Sequence, residues 1–207
     1  MKNPESAPQP AASPIERRQP QPDLLAGAAR YWDAQFKLEV LRVPPGGFAL
    51  AEKPGDMLAT LVGGCVAACV RDADSGIGGM NHFMLPALAA PDNLQAIEDF
   101  MYSLSQQGAR KERLEIRLFG GASLLKSIHS AGEENIRAIQ DYLKAAGLQP
   151  AAEDLGGVYP RRIHYVPATG RVFCLKMRRS DDARIFSREL ELREGLRALE
   201  AAPGGKD

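Results

Sequence analysis

Apolar residues recur with two different periods along the middle of this chain. In some segments every second residue is apolar, as in a strand with one buried face, and in others the spacing is that of an amphipathic helix. Repeated switching between the two periods is typical of an α/β or α+β domain. We therefore predict a single compact domain in which a mixed sheet is packed by helices. The predicted strands cover residues 36–42, 48–51, 57–62, 80–85 and 114–119, and a closing hairpin covers 162–166 and 171–176.

Three segments have the spacing expected of helices. The first, residues 65–71, follows a pair of glycines, and its apolar residues lie close together in the sequence. The second begins after Asn93, a residue suited to an N-cap, and ends at Gly108. The third is closed by Gly147. We expect the second and third helices to bury one face against the sheet.

The two ends of the chain differ in composition from the middle. Residues 1–23 contain six of the fifteen prolines, so we expect a disordered tail. Residues 24–178 are predicted to form the domain, because 207 residues with 44% hydrophobic content can bury one substantial core. Residues 179–207 are predicted to form a charged extension, either helical or loose.

Charge and cysteine content narrow the class of partner. The 26 basic residues are matched by 26 acidic ones, which argues against nucleic acid or an anionic membrane surface as the main partner. Three cysteines and the lack of a long apolar run predict a cytoplasmic protein without membrane insertion. The glycine pairs match neither the Gly-x-Gly-x-x-Gly dinucleotide-binding motif nor the lysine-containing P-loop, so we do not expect nucleotide binding. A protein or a small molecule is the expected partner.

Cys65 is the strongest candidate for chemistry. It follows Gly63 and Gly64, which would leave room for a substrate carbonyl, and its own backbone N–H could face a developing oxyanion. At the start of the predicted first helix, the positive end of the helix dipole would favour the thiolate. His82, seventeen residues later, could accept the thiol proton. Together they outline a nucleophile and base for acyl transfer.

The other cysteines and histidines have simpler interpretations. Cys69 and Cys174 are expected to be small buried apolar residues, and His129 and His164 to occupy surface or turn positions. His82 itself fits a structural histidine in the core equally well, because its neighbours are apolar.

A metal site is a weaker alternative. Cys65, Cys69 and His82 could supply soft ligands, but the spacing of the two cysteines is not that of a structural zinc site and no second pair follows. We therefore expect no metal and no cofactor.

Two segments carry a family resemblance, residues 60–72 around Cys65 and residues 79–86 around His82. On these motifs the chain resembles the CheD family of chemoreceptor glutamine deamidases, over about residues 35–177. Shorter matches occur, in the order the family uses, at residues 119–123, 134–136, 154–157 and 169–172.

The resemblance implies a layered α+β sandwich that hydrolyses the side-chain amides of particular glutamines on methyl-accepting chemotaxis receptors, leaving glutamate. It also implies a Cys–His–Thr triad, in which Cys65 and His82 carry over directly. Some members have the threonine six residues before the cysteine, where this chain has Ala59, and we therefore predict that Thr60 takes this place. Gly64 stands where the family usually has serine.

Further expectations follow from the resemblance. Asn81, Gly120, Gly121 and Ser123 are candidate substrate-binding residues. An alternative function is that of an interaction protein with weak catalysis, which binds chemoreceptors or a CheC-like phosphatase. A third is that of a general cysteine amidase with other substrates. We expect the protein alone to be monomeric.

Overall fold

Two five-stranded sheets and two helices make up the part of the chain that the computed structural model describes, which is residues 29–84, 94–123 and 131–178. The α+β class is confirmed, and both sheets mix parallel and antiparallel strands. The predicted tail 1–23, the extension 179–207, Asn93 and His129 lie outside the described residues. The elements are β1 (Arg30–Asp33), β2 (Leu38–Arg42), β3 (Phe48–Leu50), β4 (Met57–Val62), β5 (Val66–Asp72), β6 (Gly78–Phe83), α1 (Gln95–Gln106), β7 (Leu114–Gly120), α2 (Ala131–Ala145), β8 (Ala152–Leu155), β9 (Arg161–Val166) and β10 (Arg171–Lys176).

The strands are divided between the sheets in an order that crosses the sequence several times. The first sheet has the order β1-β2-β4-β9-β10, with β2 and β4 parallel. The second has the order β3-β6-β5-β7-β8, with β7 and β8 parallel. Strand β4 therefore lies at the centre of the first sheet and β5 at the centre of the second. The three residues that connect them pass from one sheet to the other.

Two apolar clusters place the helices and sheets in three layers. One cluster joins the outer face of the second sheet to α1 and α2, and includes Val70, Phe100 and Ile139. The other fills the space between the sheets, and includes Leu58 and Tyr165. The layers are therefore helices, second sheet and first sheet, which is the layered sandwich that the resemblance implied.

The predicted helix at residues 65–71 is wrong, because Val66–Asp72 is strand β5. This strand lies between β6 and β7 and is covered on both faces, by the helices on one side and the first sheet on the other. A strand buried on both faces is apolar at nearly every position, so its sequence lacks the alternation that would distinguish it from a buried helix.

Several other elements agree closely with the sequence pattern, whereas β1 and β8 were not predicted and β6 covers Gly78–Phe83 instead of residues 80–85. β4 has the predicted bounds, and β9 and β10 form the predicted antiparallel hairpin. α1 ends just before Gly108 and α2 before Gly147, both with positive φ as expected of glycines after a helix. In the described part of the chain, neither helix has the length and apolar composition needed to cross a membrane.

Two single-residue predictions are wrong. Cys174 is exposed rather than buried, because β10 is the edge strand of the first sheet. His164 is buried instead of lying on the surface, with its ring against Phe36 and its Nε2 atom 3.4 Å from a carboxylate oxygen of Asp33. Cys69 is fully buried, as predicted.

Candidate active site

Three loops meet at one end of the sandwich. They are residues 63–65 between β4 and β5, residues 121–123 after β7, and residues 156–160 between β8 and β9. Cys65, in the first loop, is only 7% exposed and belongs to the apolar cluster between the sheets. Cys65, the candidate nucleophile, is therefore nearly buried, and only a small part of it is accessible to solvent.

The Cys65 loop is held by its carbonyl oxygens. The Gly63 oxygen accepts a hydrogen bond from the N–H of Ala122 (2.8 Å), and the Cys65 oxygen accepts one from Gly121 (2.7 Å). The Gly64 oxygen accepts a bond from the side-chain amide of Asn135 on α2 (3.1 Å). Because the N–H of a trans peptide points opposite to its C=O, the N–H groups of Gly64 and Cys65 point away from these donors.

Glycine is required where the second loop touches the first. Gly120 has a φ of 124°, and a Cβ atom there would collide with the Cys65 carbonyl oxygen. Gly121 has a φ of 65°, and a Cβ atom there would collide with the side chain of Ile136 on α2. The close approach of backbone to backbone therefore depends on these two residues.

His82 lies on the same face of the second sheet as Cys65. It is directly opposite Ala67 across the antiparallel pair β5 and β6, and Cys65 precedes Ala67 by two residues. The side chains of Cys65 and Ala67 both face the space between the sheets. Residues with this diagonal relation across a strand pair are neighbours on one face.

Thr60, on the central strand of the first sheet, reaches across to His82. Its Oγ1 atom is 2.8 Å from Nδ1 of His82, and it donates a hydrogen bond to the carbonyl oxygen of Val43 (2.9 Å). A hydroxyl has one proton to donate, and when that proton is directed to Val43, Nδ1 of His82 is the donor to Thr60. This assigns the proton to Nδ1 and leaves the lone pair on Nε2, as a general base requires.

The neighbouring residue Ala59 has the opposite orientation. Its side chain belongs to the apolar cluster on the outer face of the first sheet, away from His82. Strand side chains alternate between faces, so only one of two adjacent residues can point at the imidazole. The structure brings Thr60, five residues before Cys65, to His82.

Burial sets the charge of the imidazole. His82 is 2% exposed, and this burial lowers its pKa to about 4. The ring is therefore neutral near pH 7, with Nε2 able to accept a proton. Burial likewise raises the pKa of Cys69 far above its usual range, which keeps that thiol protonated.

One element of the sequence interpretation changes here. Cys65 precedes a strand, so no helix beginning at this residue stabilises its thiolate. Within the described residues, no three His, Cys, Asp or Glu side chains are grouped in a way that could hold a metal ion.

The candidate substrate-binding residues are not all close to Cys65. Gly120 and Gly121 contact its loop directly, and the N–H of Ser123 donates to the Gly157 oxygen (2.8 Å) in the third loop. Asn81 faces the helix layer, where its side chain donates to the carbonyl oxygens of Gly47 (3.3 Å) and Ala96 (3.4 Å). A substrate-binding role for these residues stays a prediction.

The sequence analysis missed two buried polar residues that support the loops. Asn135 donates to Gly64 and also to Ala131 within α2 (2.8 Å). Arg161, 2% exposed, pairs with Asp154 (2.8 Å) and donates to the Gly120 oxygen (3.3 Å). Asn135 lies within residues 134–136, one of the segments that resemble the family, and this match was the signal that could have identified it. Nothing in the sequence near Arg161 indicated burial.

Cys65 and His82 share one face of the second sheet and Thr60 contacts the imidazole, which is compatible with the nucleophile, base and orienting group of thiol-dependent hydrolases. Comparison with known sequences identifies the family. Residues 93–176 match the CheD family model, described as CheD chemotactic sensory transduction.

Three relatives extend the match to most of the chain. The probable chemoreceptor glutamine deamidase CheD 1 of Dechloromonas aromatica is 41% identical over 170 residues, which are 77% of this chain and 84% of the relative. Probable chemoreceptor glutamine deamidases CheD from Rhodopseudomonas palustris and Thiobacillus denitrificans are each 37% identical, covering 86% and 81% of this chain and 87% and 89% of their own lengths. The chain belongs to the CheD family.

Proposed function

We propose that the protein hydrolyses the side-chain amides of glutamines on chemoreceptors, producing glutamate and ammonia, with Cys65 as nucleophile, His82 as base and Thr60 as the group that orients His82. The names of the relatives support the reaction and the substrate. The observation that carries the mechanism is the bond between Thr60 and Nδ1 of His82, because Thr60 donates its own proton to Val43.

In the first half of the reaction, Nε2 of His82 accepts the thiol proton as the Cys65 sulfur attacks the amide carbon. A carbon–sulfur bond forms, and the electron pair of the carbonyl moves to oxygen. His82 then gives its proton to the nitrogen, the carbon–nitrogen bond breaks, and ammonia leaves a thioester behind. No cofactor takes part.

In the second half, His82 removes a proton from water, and the hydroxide attacks the thioester carbon. The carbon–sulfur bond then breaks, and the sulfur recovers the proton from His82. The product is the glutamate side chain, and the enzyme returns to its starting state.

The Cys65 loop supports stabilisation of the oxyanion formed in both halves. The N–H groups of Gly64 and Cys65 point away from the donors that anchor the Gly63 and Gly64 carbonyls. Donors fixed in this way need no rearrangement when negative charge develops on the substrate oxygen. Gly63 and Gly64 have no side chains to obstruct the approach of the amide.

Mass spectrometry of a chemoreceptor cytoplasmic fragment tests the proposal. After incubation with the wild-type protein, we expect discrete glutamines to gain the roughly one dalton that separates glutamate from glutamine. Cys65→Ala should give no gain, whereas Cys174→Ala, which removes the exposed thiol on β10, should behave as wild type. Conversion by the Cys65→Ala protein would exclude Cys65 as the nucleophile.

Other features of the function stay predictions. These are a CheC-like phosphatase partner, a monomeric state in isolation, and a cytoplasmic location.

A further inference from the structure

Two exposed apolar side chains lie on the third loop of the site. Val158 is 60% exposed and Tyr159 is 49% exposed, and they are adjacent in the sequence. Large apolar side chains exposed side by side at the rim of a site are typical of interaction surfaces, and tyrosine is among the residues most enriched at the centres of protein interfaces. This pair contributes nothing to the proposed reaction chemistry.

The loop carrying this pair is fixed to the loops around Cys65. Gly156 donates its N–H to the Gly120 oxygen (2.8 Å), and the Gly157 oxygen accepts from Ser123 (2.8 Å). The next residue after Gly120 is Gly121, whose N–H bonds the Cys65 oxygen (2.7 Å). The exposed pair is thus attached, through two backbone contacts, to the residue that would attack the substrate.

A buried arginine holds the same loop from beneath. Arg161 donates to the carbonyl oxygens of Tyr159 (3.2 Å) and Gly120 (3.3 Å) and pairs with Asp154. Pro160, next in the chain, is buried and accepts a bond from the N–H of Met177 (2.9 Å). The backbone below the two side chains is therefore ordered, and ordering the loop would cost little when a partner binds.

We infer that Val158 and Tyr159 form a docking platform for the chemoreceptor segment that carries the target glutamine, by packing against an apolar side chain that flanks this glutamine. The inference rests on the proposed function for the identity of the partner. A glutamine that enters beside Cys65 brings its neighbouring residues to the rim of the site, where residues 156–160 lie. An apolar contact at this rim adds affinity and selects which glutamines are presented.

The test uses the full chain and a purified chemoreceptor cytoplasmic fragment. The double variant Val158→Ser/Tyr159→Ser should raise the KM for ammonia release on the order of tenfold, with kcat little changed, because the platform contacts only the flanking residues. In the Cys65→Ala background, the same pair of substitutions should raise the Kd for the fragment by a similar factor. Val158→Ser/Tyr159→Phe should recover part of the affinity, since the apolar ring remains.

Two controls separate docking from other effects. Tyr102→Ser removes a tyrosine that is 65% exposed on α1, and it should leave both KM and Kd unchanged. The rate at which iodoacetamide alkylates Cys65, measured in a Cys174→Ala background, should be the same with and without the double substitution if the site is intact.

The outcomes distinguish this inference from the proposed function. Unchanged KM and Kd in the double variant would overturn the docking platform and leave the deamidase proposal standing. Binding that depends on the pair, without any deamidation by the wild-type protein, would support the platform and overturn the proposed function. Absence of both binding and turnover would overturn both.

Discussion

Strand β5 has a loop at each end, and the two loops bury polar groups in opposite ways. At its C-terminal end, the carboxylate of Asp72 is fully buried and accepts hydrogen bonds from the N–H groups of Asp74 (3.0 Å), Ser75 (3.1 Å) and Arg110 (2.9 Å). The guanidinium of Arg113 completes the set, with Nε 2.9 Å away. Burial alone would raise the pKa of Asp72, but these donors together lower it well below its usual range.

Near the N-terminal end of β5, the buried imidazole of His82 is neutral, and the only hydrogen bond that this ring makes in the described residues is to Thr60. His82 bonds Thr60 through Nδ1, and its side chain lies on the face of the second sheet that carries Cys65. No charged side chain contributes to the low pKa of His82, which comes from burial alone. The comparison teaches that a fully compensated buried charge stabilises a fold, whereas a neutral buried base with a lone pair left over can take part in a reaction.

The largest expected effect on activity comes from His82→Gln. Glutamine can still donate to Thr60 but cannot accept and return a proton, so the rate of deamidation should fall by about 10²–10⁴-fold. The free energy of unfolding should change little at pH 7, because the native imidazole is already neutral. Steady-state ammonia release and thermal melting measure the two quantities. Retained activity would remove the histidine from the mechanism.

Asp72→Asn should have the converse effect at the other end of β5. It leaves the Arg113 guanidinium without its buried partner and weakens three backbone hydrogen bonds, which should lower the free energy of unfolding by about 2–4 kcal/mol. Urea denaturation measures this change. The deamidation rate per folded molecule should match that of wild type, and a fall in that rate would mean that the two ends of β5 are coupled.

The contributions of the two ends of β5 to stability should be lost in different ranges of pH, which urea denaturation at a series of pH values measures. The folded-state pKa of His82, about 4, lies below the ordinary value of 6.5, so its contribution to stability is complete above pH 6.5 and is lost as pH falls towards 4, by up to about 3 kcal/mol. The stability that depends on the low pKa of Asp72 is lost only at lower pH, below the ordinary aspartate pKa, as the carboxylate becomes protonated. His82→Gln should therefore reduce the slope of stability against pH between 6.5 and 4, where the pKa of His164, also lowered by burial, contributes the remainder, and it should leave the Asp72-dependent loss at lower pH.

Thr60→Val tests the orienting bond with a smaller expected effect. Valine keeps the shape of threonine but leaves Nδ1 of His82 and the Val43 oxygen without their hydroxyl partner, at a cost of about 1–3 kcal/mol in stability. The freed imidazole can also adopt the wrong tautomer, so the rate should fall by about tenfold or more. Thr60→Ser, which retains the hydroxyl, should recover most of the rate. If both variants lose only stability, Thr60 is a packing residue.

Asn135→Ala should have the smallest effect of the series. It removes the donor to the Gly64 oxygen, which should lower the free energy of unfolding by about 1–2 kcal/mol and loosen the Cys65 loop, reducing the deamidation rate severalfold. Gln140→Ala is the control on the same helix, because it removes a side-chain donor of α2 that bonds Glu153 on the surface (3.1 Å). A rate reduced equally by both variants would indicate a general disturbance of α2.

Much of the fold followed from local patterns. Strand β4, the hairpin of β9 and β10, and the ends of α1 and α2 were predicted because alternation, helical spacing and glycines after helices are recorded in short stretches of sequence. β5 was not predicted, since a strand covered on both faces loses its alternation. The burial of His164 was also not predicted, because it depends on Asp33 and Phe36, which are far away in the sequence.

The sequence by itself determined which residue types were available for chemistry, namely the thiol of Cys65, the imidazole of His82 and a threonine nearby. Only the tertiary structure decided that Thr60, rather than Ala59, faces His82, that Thr60 contacts the imidazole through Nδ1, and that Asn135 anchors Gly64. The physical reason is that local sequence records which positions avoid water. The partner that each buried polar group finds depends on how two sheets and a helix pack, and this packing brings together residues that are distant in the chain.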